Sequence, residues 1–302
     1  MSSLQRELKA LANGWRWGHR KLPPHSAEPH HAFEERKEFP TDWARSRPAR
    51  AAREAILRGG LTPLVHRETT MKVEGLDVFD GLDGPVIIVA NHTSHLDTAL
   101  LLTTLPVDWQ RKVTVGAAAD YFFDAWWRAI GSALVFATFP IERHGHGLSD
   151  TPAKLIADGW SIVMFPEGTR SPDGWTRRFR PGAAALALAH GLPVLPVAIR
   201  GSYAAMPKGR GWPKPGRPPV HVRYGHPIRP KDGEGTLELN ARIAAAVETL
   251  LDEDASDWYA AALRAAKSET PPSSGPQVAD WRRVWASTEG PKNTQRHVKA
   301  WR

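Results

Sequence analysis

Four β-branched residues in a row, Val86, Ile87, Ile88 and Val89, run on through Ala90 and stop at the polar pair Asn91 and His92. A short apolar run of this kind reads as a buried strand. Thr93 or Ser94 can then cap a helix that Ala99, Leu100, Leu101 and Leu102 continue with good helix formers. The chain is thereby committed to a strand, a polar turn and a helix N-terminus. In an open α/β sheet, ligands bind beyond the carboxyl ends of the strands, where the free N–H groups of a helix start also point. His92 stands at such an end.

His92 and Asp97 are five residues apart, which on one regular helix would set them about 140° apart around the axis. They could not touch. With His92 in the turn before the helix, however, Asp97 in the first helical turn reaches back to one imidazole nitrogen and leaves the other for the cleft. That fixes the tautomer and stabilises imidazolium when the ring takes a proton. The alternative is that Ser94 and Asp97, at capping-box spacing, only satisfy the helix N-terminus.

Further apolar runs place strands near 71–75, 112–117, 135–141, 160–165, 193–199 and 219–225, besides 86–90, with helices between most of them. This alternation predicts an α/β fold, a central mixed sheet flanked by helices. Three regions are expected: 1–66, with N-terminal amphipathic helices and a linker; 67–232, the α/β core; and 233–302, a C-terminal helical and irregular extension.

In the first region Leu4, Leu8, Leu11 and Trp15 share one helical face opposed by basic residues, as in an interfacial anchor. A proline-bearing stretch follows, in which His25, His30 and His31, with His19 before it, are either incidental or a metal site. Residues 43–58 form a second basic amphipathic helix, with Arg45, Arg50, Arg53 and Arg58 on its polar side and Gly59-Gly60 as its stop. It is suited either to a membrane surface or to packing on the core.

A second stretch, F-P-E-G-T-R-S at 165–171, follows the strand at 160–164. Taken with N-H-T-S-H-L-D at 91–97, it resembles the glycerolipid acyltransferase family, whose H-x4-D signature is matched by His92 and Asp97. F-P-I-E-R at 139–143 resembles that family's F-x-x-R block, and V-L-P-V-A-I at 194–199 its proline-containing apolar block. The four occur in the family's order, across roughly residues 70–225.

The resemblance implies acyl transfer from a thioester, acyl-CoA or acyl carrier protein, to the hydroxyl of a lysophospholipid, lysophosphatidic acid first. His92 would be the general base and Asp97 its orienter. Arg143 and Arg170 would bind the acceptor phosphate, Gly168 would allow close approach, and Thr169 would add a hydroxyl. Glu167 would hold an arginine or the glycerol hydroxyls, with a structural ion pair as its alternative. Arg180, in a further family-like loop, would be secondary. Oxyanion donors are expected among backbone N–H groups, at the helix after His92 or near Pro196. Glu142 stands where the family often has Asp or a small residue, which leaves open glycerol 3-phosphate, another lysophospholipid or a glycosylated phospholipid as acceptor.

With no cysteine, the chain has neither a thiol nucleophile nor cysteine-ligated zinc, and no cofactor or metal is expected. H-x-x-H-x-D at 92–97 keeps a metal hydrolase as a rival, and a non-catalytic lipid-binding protein is another. The charge of +8 points to an anionic partner, and Lys208, Arg210, Lys214, Arg217, Arg223, Arg229 and Lys231 cluster within 201–231 without an acid. No nucleic-acid motif accompanies them, so an anionic membrane surface or an acyl carrier is expected rather than nucleic acid, with a solvated loop as the alternative. Arg6, Glu7 and Lys9 interrupt any signal-peptide core, and no segment offers a membrane span. The expected location is cytoplasmic, peripheral on the inner face of the cell membrane. In the C-terminal tail, Trp281, Arg282, Arg283 and Trp285 suit either a bilayer interface or packing on the domain.

Overall fold

The computed structural model describes residues 41–118, 126–141 and 150–288. Helix α1 (Arg47–Ile56) continues through a π-helical turn, Leu57–Leu61, into α2 (Thr62–Glu68). There follow β1 (Thr70–Glu74), β2 (Ile87–Ala90), α3 (Leu96–Thr104), β3 (Val113–Ala118), α4 (Trp126–Phe136), β4 (Thr138–Ile141) and α5 (Asp150–Ala157). The chain goes on with β5 (Ser161–Met164), α6 (Gly182–His190), β6 (Val194–Arg200), β7 (Pro219–Tyr224), α7 (Thr236–Ala255), α8 (Trp258–Ala266) and α9 (Asp280–Thr288). Each expected strand is present. β4 starts three residues later than its apolar run because α4 extends to Phe136 and Ala137 turns the chain at φ 52°.

The strands form one mixed sheet in the order β1-β7-β6-β2-β5-β3-β4, and only the β6/β7 pair is antiparallel. β2 lies at its centre between β6 and β5, and every residue of β2 is buried. Successive side chains point to opposite faces, so Ile88 and Ala90 join Leu100, Leu101 and Val197 on one side. Ile87 and Val89 join Ile162, Ala184, Ile243 and Val247 on the other. Helix α3 thus covers one face, while α6 and α7 cover the other. Full burial stabilises each of these larger aliphatic side chains by about 1.5–3 kcal/mol. Because β2 and β5 are parallel neighbours, with Val89 opposite Met164, the turns that follow them meet at one edge of the sheet.

Two expectations about residues 43–58 are corrected. Gly59 and Gly60 do not stop the helix, since Leu57 and Val65, buried on either side of them, hold both ends to the core. Packing outweighs a glycine penalty of about 1 kcal/mol each. Arg53 does not stay on a solvated face. It is buried and donates to the carbonyls of Ala133 and Leu134 in the last turn of α4 at 3.1 and 2.8 Å, and to Ala44 O at 2.6 Å. A cation suits the unsatisfied carbonyls of a helix end, and burial lowers this guanidinium to about 10.

The extension packs back in part. Arg283 donates to Asp173 at 2.7 Å, and Trp175 Nε1 donates to Arg283 O at 2.9 Å, while Trp281 beside them is 68% exposed. Among the described residues no helix is long and apolar enough to cross a membrane. The N-terminal helix, the histidine-bearing linker, Arg143 and the tail beyond 288 lie outside the described residues.

Candidate active site

The turn after β2 is built around one oxygen. Asp97 Oδ2 accepts the backbone N–H groups of Thr93 and Ser94 at 2.7 and 2.8 Å, and His92 Nδ1 lies 2.9 Å from the same atom. Asp97 thus makes both kinds of contact expected of it, to backbone N–H groups before the helix and to the ring of His92. The two N–H bonds wrap the turn around the carboxylate, and the wrapping brings the imidazole to it. Asp97 is fully buried and a carboxylate only accepts, so Nδ1 is the donor and Nε2 is the nitrogen that bears the lone pair in the neutral ring. Ser94 Oγ accepts Leu96 N–H at 3.1 Å and donates to Met206 O at 2.7 Å, while His95, rather than Thr93 or Ser94, stands at the N-cap of α3 and makes no side-chain cap bond.

The two motifs are joined at Glu167. This side chain is buried; its Oε1 accepts the N–H of His92 at 2.7 Å and its Oε2 the N–H of Arg177 at 2.8 Å. Burial pushes its carboxyl up to about 8, against the pull of the two backbone donors, and the Asp97 charge adds to the rise. Glu167 is expected to hold an arginine or an acceptor hydroxyl; in the structure each of its oxygens accepts a backbone N–H, which clamps the two loops together. Ser171 N–H donates to His92 O at 2.9 Å, and the Phe165 ring stacks on the imidazole at 4.1 Å and 22°.

Gly168 has φ 72°, a left-handed conformation that glycine adopts without strain. A Cβ there would lie 3.0 Å from Arg180 Nε and 3.1 Å from its Cζ, so the absent side chain is what lets the guanidinium lie against this turn. Arg180 therefore belongs beside Gly168, and its N–H donates to Pro166 O at 2.9 Å. Thr169 and Arg170 are half-buried on the same turn. The Arg170 and His92 charges help burial to lower His95 to about 4, so that ring is neutral near pH 7.

Of the places expected for oxyanion donors, the N–H groups of His92, Thr93, Ser94 and Leu96 already have side-chain acceptors, and Pro196 is buried within the sheet opposite Val89. The basic cluster is also thinner than its sequence implies. Arg223 pairs with Glu74 and Glu253, and Arg217 donates to the carbonyls of His66 and Thr69. Among the described residues no group of three His, Asp or Glu side chains is placed to hold a metal ion.

Sequence reasoning missed Asn91. Its amide donates to Ile199 O and accepts Ile199 N–H, both at 2.8 Å, and so extends the β2/β6 ladder by a side chain. An amide directly after an apolar strand is the signal that could have found it. With Thr93 it lines a cavity of about 300 Å³ walled by Trp175, Tyr203, Glu248 and Ser287.

The central strand of the sheet delivers a carboxylate-backed histidine with a glycine- and arginine-bearing turn beside it, and residues 65–200, which hold both, match the Acyltransferase family model. The 1-acyl-sn-glycerol-3-phosphate acyltransferase of Limnanthes alba is 30% identical over 152 residues, 48% of this chain and 51% of that protein. The enzyme of the same name from Pseudomonas aeruginosa is 43% identical over 105 residues, 33% of this chain and 38% of its own. The structure superposes on the 1-acyl-sn-glycerophosphate (LPA) acyltransferase PlsC of Thermotoga maritima with a TM-score of 0.56 and 25% identity, over 72% of this chain and 88% of that one. The central part of the chain is thus similar to the Acyltransferase family and to proteins named 1-acyl-sn-glycerol-3-phosphate acyltransferase. The chain spans about half the length, or less, of these curated relatives.

Proposed function

We propose that the protein transfers a fatty acyl group from a thioester, acyl-CoA or acyl carrier protein, to the free hydroxyl of lysophosphatidic acid, giving phosphatidic acid at an anionic membrane surface. The observation that carries this reading is the buried Asp97 carboxylate holding His92 Nδ1–H at 2.9 Å, with Gly168 and Arg180 one turn away across Glu167. His92 Nε2 takes the proton of the acceptor hydroxyl as its oxygen attacks the thioester carbonyl. The tetrahedral intermediate collapses with loss of thiolate, which takes that proton from the imidazolium, so one ester and one thiol leave. General base catalysis of this kind contributes about 100 to 10,000-fold. Arg180 and Arg170 are the phosphate ligands in this reading, by forked donation, with Arg143 a further candidate. No cofactor takes part, and the reaction runs on the cytoplasmic face of the membrane.

Thiol release from palmitoyl-CoA, with and without lysophosphatidic acid, tests the reading. Acceptor-dependent release that yields phosphatidic acid and is lost in His92→Ala is the expected result. Equal release by His92→Ala overturns the assignment of the base. Release with glycerol 3-phosphate but not with lysophosphatidic acid overturns the acceptor.

A further inference from the structure

The stretch 207–217 carries Lys208, Arg210, Lys214 and Arg217 around Trp212 and has no acid. Arg217 is tied to the carbonyls of His66 and Thr69, but Lys208, Arg210 and Lys214 are exposed and form no ion pair among the described residues. Trp212 is 53% exposed. A Cβ built on Gly209, Gly211 or Gly216 would meet nothing within 4 Å, so the tip stands clear of the domain. Its base does not. Lys214 N–H donates to Ala205 O at 2.8 Å, Met206 O accepts Ser94 Oγ at 2.7 Å, and Ser202 Oγ lies 2.8 Å from Thr93 Oγ. The loop is rooted on the turn that carries His92.

We propose that this loop docks the protein on an anionic phospholipid bilayer, with Trp212 at headgroup level and Lys208, Arg210 and Lys214 against the lipid phosphates. The proposal deepens the reading above and rests on its membrane-borne acceptor. An exposed indole flanked by cations fits the membrane interface, where the ring is half-solvated and each cation near an anionic leaflet strengthens binding by about fivefold. A second copy of the chain is a poorer occupant. One ring and three long cations present far less than the ~800 Å² per partner that a stable protein interface uses, and two such loops would repel. Docking here would hold the His92 turn beside the surface from which the acceptor comes.

The chain has no cysteine, so Gly211→Cys gives a single thiol at an open position, to be labelled with an environment-sensitive fluorophore. On phosphatidylcholine vesicles containing phosphatidylglycerol the emission should rise, shift to the blue and be quenched by spin-labelled lipid. Salt, or omission of phosphatidylglycerol, should suppress the response. Lys208→Ala/Arg210→Ala/Lys214→Ala should weaken binding to these vesicles about a hundredfold and leave turnover on a water-soluble short-chain lysophosphatidate unchanged. Vesicle flotation with the label still in water overturns the assignment to this loop, as does failure to bind vesicles at all. An emission change without lipid, on adding acyl carrier protein or raising protein concentration, overturns the bilayer as occupant. Vesicle binding is read without catalysis, so an inactive but docking protein would count only against the proposed reaction.

Discussion

Replacing Asp97 by Asn separates the charge of this side chain from its shape. Three donors converge on Oδ2, two of them backbone N–H groups fixed by the turn. An amide placed with its NH2 there would meet all three, so the amide oxygen must take the site. The cap and the His92 tautomer are then retained, and what is lost is the negative charge behind the imidazolium. At an effective dielectric constant near 20, two unit charges about 4 Å apart attract by about 4 kcal/mol. With half the charge developed in the transition state the loss is about 2 kcal/mol, or roughly 30-fold, rising towards a thousandfold if proton transfer is complete. Asp97→Asn should therefore fold normally and lose about 100-fold in kcat, with the KM for lysophosphatidic acid little changed. Asp97→Ala leaves two buried N–H groups without an acceptor, at about 1–3 kcal/mol each, and should lower Tm markedly. The assay is thiol release at saturating acceptor, with thermal unfolding of each variant and the imidazole tautomer read by nitrogen NMR. A kcat for Asp97→Asn within a few-fold of wild type would refute the electrostatic role and leave Asp97 as a cap alone.

Gly168→Ala forces a Cβ into Arg180 at 3.0 Å in a left-handed backbone. It should cost about 1–2 kcal/mol and raise the KM for lysophosphatidic acid more than it lowers kcat, as steady-state kinetics would show. Glu167 is raised to about 8, so between the unfolded carboxyl value and pH 8 the folded state binds the extra proton. That contribution is full at low pH and is lost as pH rises to 8. Wild type should accordingly lose more Tm between pH 5 and pH 8 than Glu167→Gln, a window above that in which the lowered carboxyls of Asp173, Glu74 and Glu234 titrate. Arg283→Gln removes a mostly buried partner of Asp173 and two donations to the carbonyls of Pro276 and Ser274. It should destabilise α9 by about 2 kcal/mol and expose residues 269–288 to limited proteolysis, while helices α3 and α6 keep their hydrogen-exchange protection.

What the sequence made legible is local. The central strands β2, β5 and β6 announce themselves as apolar runs because burial on both faces admits few polar residues, β1 and β7 show themselves by alternation instead, and the strand, turn and helix at 86–102 follow from residue type alone. The pairing of His92 with Asp97 was legible too, since spacing forces either a cap or a reach back to the ring. The rest depended on partners distant in the chain. Gly59-Gly60 reads as a stop until Leu57 and Val65 are seen in the core, and Arg53 reads as solvated until α4 ends above it. Glu167 is a carboxylate in a motif, and nothing nearby says that its two donors are the N–H groups of residues 75 and 10 positions away. Arg223 was counted with the free cations because Glu74 and Glu253 lie on other elements.

The carboxylates of Asp97 and Glu167 take the N–H groups of His92, Thr93 and Ser94 between them, so the turn is held through its backbone and the imidazole contributes little to holding it. Removing the ring leaves Oδ2 with two of its three donors and takes away one stacking contact with Phe165. Such a contact is worth about 1 kcal/mol, and the lost hydrogen bond about the same or somewhat more. His92→Ala should therefore unfold within a few degrees of wild type, whereas Asp97→Ala falls much further. The double variant should fall only about 1 kcal/mol below Asp97→Ala, since the ring then has no acceptor left to lose and gives up only its stacking contact. Chemical denaturation of the three proteins checks this. A His92→Ala variant as unstable as Asp97→Ala would show that the ring, rather than the two backbone bonds, holds the turn, and loss of activity in that variant would then say nothing about a base.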